Sequence, residues 1–115
     1  MNDFHPTVAR IDKSIEITAG LGPKYRSREL ICVLDHDDFR ELVGIEILDF
    51  DSQLGGGTMG PSPAGGYPRW SYDAEVDAAY IRLSGARAQH QISATAIASV
   101  SASGQLVSLR VAWPN

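Results

Sequence analysis

Four residues have the chemistry for acid–base work and sit close enough in the chain to share a site: Tyr72, Asp73 and Tyr80, with Asp49 at the end of the stretch LVGIEIL. A phenol and a carboxylate facing one water-poor cavity can hydrogen-bond a reacting group, and holding a flexible substrate in a reactive conformation accelerates cyclisation by orientation alone. Tyr67, Trp70 and Trp113 lie at strand ends or beside a Gly-rich stretch, where amphipathic rings can grip an apolar ligand, with Ile45 and Ile81 as aliphatic walls. The candidate catalytic residues are therefore Tyr72, Tyr80, Asp73 and Asp49, and the candidate ligand-binding residues Trp70, Trp113, Tyr67, Ile45 and Ile81. The bland reading of the same aromatics is that they plug a core.

Other chemistry has less behind it. The acidic stretch DHDDFRE holds Asp35, Asp37 and Asp38 close together, but it lacks the glycine and the distal glutamate of a helix-flanked calcium loop, so it reads as a solvated turn. His5, His36 and His90 follow no metal-ligand spacing and one cysteine cannot complete them, so no metal site is expected. No GxSxG elbow is present, and the serines of SVSAS have no assigned histidine or aspartate partner. No cofactor is implied.

Composition narrows the class. A 115-residue chain is one domain's worth. The single cysteine, Cys32, lies in the apolar run LICVL and predicts a buried, inert thiol in a reducing, cytoplasmic setting. No apolar stretch is long enough for a membrane span or an ordinary export signal, which predicts a soluble protein. A net charge of -4 with only two lysines argues against a nucleic-acid phosphate track. The charge is uneven: residues 1–51 carry eleven acids against six bases, whereas residues 69–115 carry three acids against four bases.

The elements that must position these side chains are strands. Apolar residues alternate or come in short runs rich in Val, Ile, Tyr and Thr, which is the period-two pattern. It predicts eight strands, near Thr7–Asp12, Ser14–Ala19, Glu29–Asp35, Leu42–Phe50, Arg69–Asp73, Ala78–Ser84, Thr95–Val100 and Gln105–Trp113. Turn-forming stretches GLGP, DHDDFRE, DAEVD and SASG separate them.

The second half echoes the first. IEIT matches IRLS, VLDHDDFRELV matches IASVSASGQLV without a gap, and LVGIEIL matches LVSLRVA. We read an internal tandem duplication: a four-strand repeat over residues 1–51, a Gly/Pro-rich connecting loop over 52–68, and a second repeat over 69–115, one domain overall. The loop's composition predicts a flexible linker, with a lid over a barrel mouth as the alternative.

The stretches YDAEVDAAYIRLS and VLDHDDFRELVGIEILDF together resemble the small prokaryotic domain of unknown function numbered 2283. The likeness covers nearly the whole chain but is divided: the first strand pair is recognisable in the second copy and the acidic hairpin in the first. It implies a bacterial source and a fold. It carries no catalytic residue, because the family has no assigned activity.

Two copies of a four-strand unit with one apolar face can close edge to edge, and eight strands is the number at which a barrel just encloses side chains or one small ligand. The expected fold is thus all-β, eight antiparallel strands in a small closed barrel, with a two-sheet sandwich as the alternative. The expected function is binding of one hydrophobic small molecule in the interior, in enzymatic form as a cofactor-free cyclase or isomerase of specialised metabolism. The alternative is a protein-interaction module, an acidic antitoxin-like partner of a basic protein using residues 35–51. A homodimer through the strand edges is compatible with either.

Overall fold

Alternating burial shows which face of each strand looks inward: Ile15 and Ile17 in β2 (Ser14–Thr18), Ile45 and Ile47 in β4 (Leu42–Leu48), Ala79 and Ile81 in β6 (Ala78–Arg82), and Leu109 and Val111 in β8 (Leu106–Ala112) are all fully buried. The remaining strands are β1 (Thr7–Ile11), β3 (Arg26–His36), β5 (Arg69–Asp73) and β7 (His90–Val100). The structure is a computed structural model and describes residues 6–11, 14–60, 62 and 65–112. Among these no helix is long and apolar enough to cross a membrane.

All eight strands are antiparallel and belong to one sheet, in the order β1-β2-β8-β7-β3-β4-β6-β5. The two longest strands, β3 and β7, pair along their whole length at the centre, from Arg26↔Val100 to His36↔His90. Hairpin β1-β2 docks on β8, and hairpin β5-β6 docks on β4. The strands therefore interlock: β2 and β3, consecutive in the chain, are not neighbours in the sheet.

The sheet curls strongly without closing. The molecule measures 38 × 32 × 31 Å, whereas a flat layer would be only about 10 Å thick. The expected closed barrel is corrected here: β1 and β5 are free edges and form no ladder with each other. Beside β1 lies a cleft of about 520 Å³, lined by Thr7, Val8 and Arg10 together with Tyr67, Pro68 and Leu83. Two local features leave the gap unzipped. The backbone N–H of Trp70 in β5 donates to the Ser62 hydroxyl (3.0 Å), and β1 is only five residues long and largely exposed.

The concave face is filled by its own side chains. Across the pairing register, Leu34, Ile45, Ile81 and Trp70 form one row of the core, and Ala98, Leu109 and Ile17 another. Described residues of the connecting segment add to this core, with Leu54 buried in it and Met59 packed against it. Residues Phe50–Leu54 form a short helix, α1, where the sequence pattern predicts the end of the fourth strand, and Phe50 and Leu54, one turn apart, are both buried. Gly55 ends the helix in the left-handed conformation (φ 67°) that a residue with a side chain rarely adopts. The chain then pairs Thr58 with Gln105, packs Met59 on the core, and passes Gly60 to Trp70, whose indole N–H donates to the Gly60 carbonyl (2.8 Å).

Candidate functional site

The convex side of β4, β6 and β5 carries a shallow trough of about 710 Å³. In the pairing register Glu46, Tyr80 and Ser71 stand in one row and Leu48, Ala78 and Asp73 in the next. The β5–β6 turn adds Ala74, Glu75 and Val76 as one wall. Glu46, Asp73 and Glu75 are the charged residues of the lining, and no lysine or arginine belongs to it. Arg82 lies beside it, its guanidinium carbon 6.0 Å from the centre of the Tyr80 ring.

Tyr80 is held in place from below. A Cβ at residue 44 would run into its hydroxyl and ring, so the bare backbone of Gly44 is what lets the ring lie across β4. The Tyr80 hydroxyl reaches Asp35, a carboxylate only 2 % exposed that also accepts a hydrogen bond from the Gln91 side-chain amide (2.7 Å). Burial, then the hydrogen bond and charge of Asp35, push the Tyr80 phenol up to about 12. So raised, the phenol is neutral at ordinary pH.

Of the other candidate catalytic residues, Tyr72 and Asp73 line the same trough and Asp49 does not. Asp73 shares the trough, although its carboxylate also accepts the Glu75 N–H (3.0 Å) within the turn. The Tyr72 ring lies 5.7 Å from that of Phe50, and its hydroxyl donates to Asp77 (2.6 Å). That hydrogen bond, ahead of burial, pushes its phenol up to about 12 and holds the Asp77 carboxyl below its ordinary value. Asp49 occupies the N-cap of α1 in the left-handed conformation (φ 52°) with no side-chain cap bond.

The candidate ligand-binding residues are also dispersed. Ile45, Ile81 and Trp70 are core residues, at 0 %, 0 % and 7 % exposure. Tyr67 sits at the open edge cleft beneath Arg69, whose guanidinium lies 4.7 Å from its ring centre and donates to its hydroxyl (3.2 Å). Trp113 lies outside the described residues. Cys32 is buried, and burial pushes its thiol up to about 11, so it is a poor nucleophile at neutral pH.

No group of three or more metal-ligating side chains occurs among the described residues. No family model, curated protein or solved structure matches the chain.

A further concavity, of about 410 Å³, is lined by His36, Arg40, His90 and Ile92 at one end of the concave face. Along the chain these histidines stand far apart, one at the end of β3 and one at the start of β7. What joins them is the β3·β7 register, which sets His36 directly opposite His90 across 54 positions of chain.

Proposed function

We propose that the protein is a non-catalytic interaction module that receives a basic segment of a partner protein on the convex trough over β4, β6 and β5. The observation that carries this reading is the composition of the trough: three carboxylates, Glu46, Asp73 and Glu75, with no base in the lining and a Tyr80 ring between them. Carboxylates so placed attract Lys or Arg from a distance, and an aromatic face adds to the attraction of a cation seated over it. Both tyrosine hydroxyls named as candidate acids are tied to carboxylates, which favours recognition over proton transfer.

Binding of a hydrophobic molecule inside the shell has less support, because Trp70, Ile45 and Ile81 fill the interior that such a ligand would occupy. The test is a calorimetric titration of an oligo-arginine peptide into the whole protein. Saturable binding that weakens steadily with salt, and that falls by about tenfold or more in the Glu46→Gln, Asp73→Asn double variant, supports the reading. Equal binding by the double variant, or none by the native chain, overturns it.

We also propose that the chain is a tandem duplication of the four-strand unit that resembles domain family 2283. The support is geometric as well as sequential. Strand lengths run 5, 5, 11 and 7 residues, then 5, 5, 11 and 7 again. The contact of β2 with β8 repeats in that of β6 with β4: Ser14↔Ala112 and Ala78↔Leu48 are related by one shift of 64 positions.

A further inference from the structure

The two ends of the concave face are equivalent positions in this interlocked sheet, and only one is covered. At the covered end β3 begins and β7 finishes (Arg26↔Val100), and α1 and residues 55–58 close over them. There the Arg26 guanidinium donates to the carbonyl oxygens of Leu54 and Gly55 (3.3 and 3.4 Å). At the other end β7 begins and β3 finishes, so that His90 takes the place of Arg26 and Ile92 that of Arg28. Among the described residues nothing closes over this end, and the concavity of about 410 Å³ lies open there.

Its side chains are basic and unused. His36 is more than nine-tenths buried, and its side chain has no hydrogen-bond partner among the described residues. Among the described residues no fully buried side-chain nitrogen or oxygen is unpaired, and His36 lines the concavity. Arg40 reaches the same space from the β3–β4 turn, where it holds a left-handed conformation (φ 63°). Asp37, in the same turn, accepts the backbone N–H groups of Phe39 (2.8 Å) and Glu41 (2.9 Å) with one carboxylate oxygen and does not line the concavity. Asp35, next to His36 in the chain, faces the convex side, where Gln91 and Tyr80 engage it. Asp38 and Glu41 are exposed and do not line the concavity.

From this geometry we propose a binding site for a small organic oxyanion, with its carboxylate or phosphate group among Arg40, His36 and His90 and its apolar body against Ile92. The acceptor chemistry is that of the covered end, where a basic side chain at the equivalent position already holds oxygen atoms. A guanidinium and two imidazoles supply donors to a charged acceptor, and Ile92, 41 % exposed, offers the apolar contact.

The test is an NMR titration of the whole protein with two probes, inorganic phosphate and benzoate. Saturable shifts centred on His36, Arg40, His90 and Ile92 are expected with both, tighter for benzoate. The Arg40→Asn and His90→Gln variants change exposed side chains, and asparagine tolerates the left-handed conformation, so both are expected to keep the native spectrum. Each is expected to weaken both probes by about tenfold, while Ile92→Ser weakens benzoate and leaves phosphate unchanged. Absence of saturable shifts, or equal affinity in the Arg40 and His90 variants, overturns the site. A response to benzoate that survives those variants overturns it equally, because the anion would then play no part.

Discussion

The two ends of the concave face both lie where β3 pairs with β7, and among the described residues they differ in what lies over them. After β4 comes DFDSQLGGG, which folds over the end of the sheet as α1. The Gln53 side-chain amide lies where a longer β4 would have run: it accepts the Ile31 N–H (2.8 Å) and donates to the carbonyls of Ile31 (3.0 Å) and Leu48 (2.6 Å). One side chain thus continues a ladder that the backbone has left. At the open end the first residues of β7 pair with β3 on one side only, and the concave face there ends in His36, His90 and Ile92. The polar pairs on the convex side diverge too. Ser27 and Ser99 share a hydrogen bond of 2.8 Å near the covered end, where the open end has Asp35 and Gln91. Among the described residues, those that follow β4 cover one end of the concave face, and the other end is left to the side chains of the strands and their turn.

The largest effect comes from breaking the interlock. Each end is made from both halves of the chain, because β3 and β7 meet in the middle, hairpin β1-β2 docks on β8 and hairpin β5-β6 docks on β4. A fragment of residues 1–51 keeps only two hairpins, β1-β2 and β3-β4, with no ladder between them, and single hairpins are marginal in water. The fragment is expected to show no cooperative thermal transition by circular dichroism. A fragment that unfolds cooperatively alone would mean that the two ends are independent structures rather than variants of one shared framework.

Next comes the cover itself. Leu54 is 1 % exposed and Ile92 is 41 % exposed, although both sit at an end of the same concave face. Leu54→Ala is expected to cost about 2–5 kcal/mol in urea unfolding, and Ile92→Ala about 1 kcal/mol or less. Gln53→Ala removes three hydrogen bonds at an exposed site and is expected to cost about 1 kcal/mol. Equal costs for Leu54 and Ile92 would show that the second end is also packed in solution.

How much of this is legible in the sequence depends on burial. Strands with one face in the core announce themselves, and Arg69–Asp73 is found where the alternation places it. The longer reach of β3 and β7 is not legible, because Arg26, Ser27 and Arg28 and residues 90–93 have no apolar alternation and are ordered by pairing with each other. The shortness of α1 hides it, although Phe50 and Leu54 four apart with Gly55 after them are a helix signal once sought. Closure fails as an expectation because strand count does not say whether the two edges meet. The basic cluster at the open end is invisible for a different reason: His36 and Arg40 lie some fifty positions from His90 and Ile92, and only the register brings them together.

The smallest effect separates the two tyrosines, one beside α1 and one near the open end. Both phenols are raised from the ordinary 10 to about 12, but for Tyr72 the largest cause is its hydrogen bond to Asp77, and for Tyr80 it is burial. A phenol raised on folding contributes stability that is fully present below pH 10 and is lost as pH climbs through the folded value near 12. Ionisation followed by ultraviolet absorbance should therefore show two late-titrating phenols in the native protein. Asp77→Gly suits the left-handed backbone there (φ 51°) and removes the acceptor, so Tyr72 is expected to return most of the way to 10. Asp35→Asn leaves the Tyr80 ring where it is, packed over Gly44, and Tyr80 is expected to stay late. If instead Tyr80 moves with Asp35 and Tyr72 stays put, the convex face near the open end is held by charge and the α1 end by burial, which reverses the contrast between them.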